Sequence, residues 1–133
     1  MASLECTLTT PESAIFEGSV RSVVVPAADG ELGILPRHAP LVGSLGVGEL
    51  RVESESGEKS RYFVDGGFLQ VSGQNVTVLA ARATNASELD RTAEHARLEE
   101  LTKERPAPGS DPEEFDAHER AMNAQKVRVK MSS

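Results

Sequence analysis

The 133 residues leave room for one domain, or for one small domain with an appendage. With 21 acidic and 14 basic residues the formal net charge is -7, which argues against a dedicated nucleic-acid binder, whose footprint would be basic. No run approaches the ~18 continuous apolar residues that span a bilayer, and Met1 to Cys6 do not read as a signal peptide. The single cysteine, Cys6, excludes an intrachain disulfide, so the expectation is a soluble cytoplasmic protein.

Leu4, Cys6 and Leu8 alternate with polar neighbours, which is strand spacing with one buried face. Pro11 ends that run. Ser19 to Val25 predicts a second strand closed by Pro26, and Asp29-Gly30 predicts a tight turn. Leu32, Ile34 and Leu35 follow, then an irregular loop from Pro36 to Pro40. Further short strands are expected at 41–45, 49–53, 61–64, 68–71 and 76–81. The glycines between Gly43 and Gly48 and the Asp65-Gly66-Gly67 run read as turns, and Ser54 to Lys59 as a hairpin tip. Strands at this spacing, with no helix-length segment between them, predict an all-β sandwich or barrel rather than a parallel α/β sheet.

Composition changes near Asn85. Every glycine except Gly109 lies before that point, and no Val or Ile occurs from 87 to 126. The second region is rich in Ala, Glu, Arg and Leu, which favours helix. Ser87 with Asp90 resembles a capping box. Asp111-Pro112-Glu113-Glu114 is a fuller start signal, with an acidic cap, proline in the first turn and following carboxylates. Arg105 to Ser110, with Pro106 and Pro108, separates two arms of roughly 87–104 and 112–130. The expected organisation is therefore a β-domain over 1–86 and a two-helix hairpin over 87–133. The apolar stripes are thin, Leu89, Ala93, Ala96 and Leu101 in one arm and Phe115, Met122, Val127 and Val129 in the other. Such helices gain little from burial, so the hairpin is expected to be mobile.

No catalytic constellation emerges from the residues. His38 stands alone in its loop, and His95 and His118, beside Glu94 and Glu119, lack zinc-ligand spacing. No metal site is expected. The glycine clusters are not followed by a helix N-terminus that could hold phosphate, and Cys6 in a strand reads as core. The composition favours a binding or coupling module over an enzyme, and a stand-alone β-sandwich module with a helical tail for a protein partner is the alternative reading.

Gly30-Glu31-Leu32-Gly33-Ile34-Leu35-Pro36-Arg37-His38-Ala39-Pro40-Leu41 closely resembles the signature loop of the epsilon subunit of F-type ATP synthases. Phe16-Glu17-Gly18, Gly66-Gly67-Phe68-Leu69-Gln70-Val71 and Asn75 to Ala80 follow the same family pattern in order, and Leu89-Asp90 opens the helical region at the family distance. The resemblance covers essentially the whole chain. It implies a β-sandwich of about ten strands with a C-terminal antiparallel two-helix hairpin. It also implies a non-catalytic rotor subunit, bound to the gamma subunit and resting on the c-ring, that couples proton flow to ATP synthesis.

The same resemblance places Glu31, Arg37 and His38 toward the polar loops of the c-ring, where complementary charge would orient the contact. It lets the hairpin reach the alpha and beta subunits and inhibit ATP hydrolysis, with Lys126, Arg128 and Lys130 as the cationic contacts. Some members bind ATP on the hairpin, and Leu89, Asp90 and Arg120 match positions of that site. Two arginine positions of the motif are Ala93 and Ala124 here. Without those guanidiniums the phosphate fork is lost, so these residues read as vestiges and no cofactor is expected. A peripheral position on the cytoplasmic face of a bacterial inner membrane is the expected location.

Overall fold

Alternation from Leu4 to Thr9 produces strand β1, with Leu4, Cys6 and Leu8 in the core. In the computed structural model, which describes residues 3–132, five further strands follow: β2 (Ala14–Ala27), β3 (Gly30–Ile34), β4 (Leu41–Ser54), β5 (Lys59–Ser72) and β6 (Asn75–Asn85). Their order is β1-β6-β5-β4-β2-β3, and β1 also pairs with β2. The sheet therefore closes on itself through β1, β2, β4, β5 and β6. β1 lines the first half of β2, from Ala14 to Val20, and β3 lines the second half, from Val23 to Ala27. All ladders are antiparallel except β1 with β6. Closure leaves few unpaired edges and encloses one apolar core, in which Leu4, Leu8, Ile34, Leu50 and Leu69 are the largest fully buried side chains.

The strands are fewer and longer than the sequence suggests, and glycine is the reason. β4 runs without interruption through Gly43, Gly46 and Gly48, and β5 runs through Gly66 and Gly67. A Cβ on Gly48 would stand 2.7 Å from Pro26 Cβ, so this glycine lets β4 pass close to β2. At Gly67, φ is +125° and a Cβ would lie 2.0 Å from the Leu79 carbonyl oxygen. The β5–β6 ladder keeps its register from Asp65↔Arg82 to Gly67↔Ala80, so the strand passes through Gly66 without a bulge. These glycines lie within strands; they do not end them. Pro26 likewise lies inside β2, opposite Glu31, and does not close the strand. The expected turns at Asp29-Gly30 and 54–59 do form, and a further turn at 72–75 joins β5 to β6.

Contacts divide the chain into two compact units, 1–86 and 87–133. A 3-10 turn (Ala86–Glu88) spans the boundary, so helix α1 starts only at Arg91 and runs to Lys103. Asp90 is the N-cap, its carboxylate accepting from the Thr92 amide at 3.2 Å. Ser87 does not cap the helix, because the 3-10 turn takes up the residues between them. Helix α2 (Pro112–Ser132) starts as its signal predicts, with the Asp111 carboxylate accepting from the Glu113 amide at 3.1 Å. The helices are joined by 104–111, where Gly109 takes φ +89°.

Candidate functional site

β3 and the loop behind it carry Glu31, Arg37 and His38, but these three side chains do different things. Glu31 lies within β3, and its carboxylate accepts from Arg51 of β4 at 2.9 Å. Arg51 also reaches Glu49 at 3.4 Å, and Glu49 accepts from Arg61 of β5 at 3.0 Å. The result is a ladder of alternating charge across the outer surface. The carboxylates push the Arg51 guanidinium above its ordinary pKa, chiefly through the hydrogen bond to Glu31. Exposed pairs of this type each contribute at most about 1 kcal/mol.

Arg37 is exposed in the 36–40 loop and takes φ +71°, a left-handed conformation unusual for a side chain with a Cβ. His38 closes the turn, its amide donating to the Leu35 carbonyl at 3.1 Å, and its ring Nδ1 stands 2.7 Å from the Ala39 carbonyl oxygen. Glu31 is thus committed to an ion pair on a strand, whereas Arg37 and His38 occupy a proline-bounded loop.

The residues missed by motif reading lie on the outer face of β4, β5 and β6. Val42, Phe68 and Leu79 are 74%, 62% and 52% exposed. The register puts Val42 opposite Gln70, and Phe68 opposite both Ser44 and Leu79. Opposed residues and residues two apart share a face, so these three side chains form one apolar strip. An apolar cluster on an outer sheet face, rimmed by polar Ser44, Gln70 and Thr77, is the usual mark of a protein contact. The signal was present in the alternation of β5, where Phe68 is out of phase with buried Leu69 and Val71.

In the hairpin the sequence-predicted positions separate. Leu89 is buried and Asp90 is engaged as the α1 cap, while Arg120 is exposed on α2. Lys126 and Lys130, four residues apart, share an exposed face of α2. Arg128 points elsewhere: its Nε donates to Glu94 Oε1 at 2.7 Å and its Nη2 to Oε2 at 3.1 Å. Gln125 Nε2 donates to the Glu94 carbonyl at 2.8 Å and to its carboxylate at 3.0 Å. The Arg128 hydrogen bond, opposed by burial and assisted by Gln125, holds the Glu94 carboxyl below the usual carboxylate range.

The expected apolar stripe of α1 is corrected accordingly. Ala93 and Ala96 are exposed, and Glu94 and Leu101 are the buried residues of the helix. Residues 94, 98 and 101 share one face, at i, i+4 and i+7, and with the helix starting at Arg91 the stripe expected from Leu89 loses its first member. His118 Nε2 lies 2.7 Å from the Leu101 carbonyl oxygen, and His95 is exposed. The histidines are dispersed, and the described residues contain no cluster of three or more metal-ligating side chains. Cys6 is buried in the core and its thiol is pushed up to about 12 by desolvation.

Comparison with known proteins gives these features a family. Residues 3–86 match the ATP synthase delta/epsilon chain β-sandwich domain. The chain is 47% identical over 102 residues to an ATP synthase epsilon chain from Chromohalobacter salexigens, covering 76% of this chain and 72% of that one. It is 35% identical over 127 residues to the epsilon chain of Dichelobacter nodosus, covering 93% and 84% respectively. Among solved structures, a chain of the Euglena gracilis mitochondrial ATP synthase OSCP/F1/c-ring assembly superposes with a TM-score of 0.84. The identity there is 28%, over 96% of this chain and 79% of that one.

Proposed function

This chain belongs to the ATP synthase epsilon family, and from that premise we propose that it is a non-catalytic central-stalk subunit whose two units divide the work. The β-unit anchors the chain to the rotor and helps couple proton flow through the c-ring to ATP synthesis. The helical unit regulates, inhibiting ATP hydrolysis by reaching the alpha and beta subunits. The observation that carries the reading is the apolar strip of Val42, Phe68 and Leu79, which suits a lasting protein contact on the gamma subunit. The 36–40 loop is the second contact, with Arg37 and His38 turned to the polar loops of the c-ring and Glu31 acting through its pair with Arg51. Lys126 and Lys130 supply the exposed cationic face for the head. The reading needs no nucleotide on Leu89, Asp90 and Arg120.

The described residues include no helix long and apolar enough to cross a membrane. The chain is then held at the cytoplasmic face of a bacterial inner membrane through the complex alone. The test is retention on a stalk of gamma and c-ring purified without this chain. Wild type is expected to stay bound, and a Val42→Ser, Phe68→Ser, Leu79→Ser triple variant is expected to wash off while keeping its β-sheet signal in circular dichroism. Undiminished retention of the triple variant would remove the strip from the interface. Failure of the wild type to bind would favour a stand-alone binding module.

A further inference from the structure

Half of the buried residues in the two helices are polar. Glu94 and Leu101 are the buried positions of α1, and Gln125 and Met131 those of α2. An acidic residue at a helix–helix contact is costly unless its carboxylate is fully matched. Here it is matched from two sides. Arg128 grips both oxygens through Nε and Nη2, and Gln125 donates to the carboxylate and to the backbone carbonyl of the same residue. Among the described residues no buried side-chain polar atom lacks a hydrogen-bond partner.

We propose that Glu94, Gln125 and Arg128 form a polar clasp that sets whether the hairpin is shut, and that it withholds Arg128 from acidic partners until it opens. Two physical points favour a clasp over ordinary packing. A forked guanidinium–carboxylate pair with a third donor has one good geometry, so it fixes the register of α1 on α2, which a thin apolar stripe cannot do. Opening an apolar contact exposes oily surface to water, whereas opening this one exposes two charges that water solvates well. The closed state is therefore favoured by a modest margin, and a carboxylate on another protein can replace Glu94. Only this last consequence, release of Arg128 toward an inhibitory contact, rests on the function proposed above.

The test uses the full chain with spin labels on cysteines placed at Arg91 and Lys126, both exposed, with Cys6 left in place because it is buried and unreactive. Distance distributions are measured by double electron–electron resonance. Wild type is expected to show one short population. Glu94→Gln and Arg128→Met should each add a longer one, raising the open-to-closed ratio about tenfold or more, as befits loss of a charge-assisted hydrogen bond. The swap Glu94→Arg with Arg128→Glu should recover most of the short population. Unchanged distances in both single variants, or a swap that opens as far as the two single effects combined, would overturn the clasp. If a single variant loses helix altogether, the swap must still restore helix content and the short distance, or the clasp fails.

A second arm measures ATP hydrolysis by the cognate head lacking this chain. Adding Glu94→Gln should slow it more than adding wild type. Shifted distances with equal hydrolysis would leave the clasp standing and remove the inhibitory role. Unshifted distances would remove the clasp whatever hydrolysis does.

Discussion

The two units solve the problem of holding together in opposite ways. The β-unit encloses a continuous apolar core, from Leu4 on β1 to Ala80 on β6, inside a sheet that closes on itself. The hairpin buries four residues in its helices, and two of them, Glu94 and Gln125, are polar. Apolar burial in a closed sheet is cooperative and insensitive to partners. A polar clasp between two thin helices is sensitive to charge, pH and competition from other carboxylates. An anchor suits the first kind of chemistry and a regulator the second.

The difference can be broken most severely from the β side. Leu50 is fully buried in the core, and Leu50→Ala should cost about 2–5 kcal/mol, read as a lowered urea midpoint of the β-sheet signal. A hairpin transition moving in step with it would contradict two separately held units.

Changing pH should then sharpen the contrast, because the two units respond at opposite ends of the scale. The Glu94 carboxyl titrates below its ordinary value of 4.5 in the folded hairpin. Its stabilisation is present above that value and is lost as pH falls through the lower, folded pKa. The Cys6 thiol is pushed from 9.0 to about 12, so its contribution is present below 9.0 and is lost as pH rises toward 12. Residue-resolved NMR is expected to show the hairpin loosening first in acid and the β-unit first in alkali. The smallest effect concerns the loop. Arg37→Gly relieves a left-handed φ and should stabilise the β-unit by up to about 1 kcal/mol in urea unfolding, while removing a proposed c-ring contact.

Much of this architecture is legible in the amino-acid sequence. Strand alternation from Leu4 to Leu8, the Asp29-Gly30 turn and the Asp111-Pro112 helix start are local signals, and local chemistry decides them. The strand count was not legible. Gly46, Gly48 and Gly67 look like turn residues in sequence, yet they serve close approach, which only the neighbouring strand reveals. The clasp escaped for a related reason. Taking Ser87 as the helix cap brings Leu89 into the helix and aligns Ala93 and Ala96 with it, whereas the actual cap at Asp90 leaves Leu89 outside, and the buried face is that of Glu94 and Leu101. A faint signal existed: a glutamate on α1 and a glutamine and arginine on α2 are complementary in charge and hydrogen bonding. The strip of Val42, Phe68 and Leu79 needed the register of three strands to become one surface.

The division of labour is tested most directly by adding either the full chain or residues 1–86 to the cognate ATPase head and stalk lacking this subunit, and measuring retention and ATP hydrolysis together. The expected result is that both are retained equally and only the full chain slows hydrolysis. Loss of retention on removing 87–133 would contradict the β-unit as anchor, and equal hydrolysis with both would contradict the hairpin as brake.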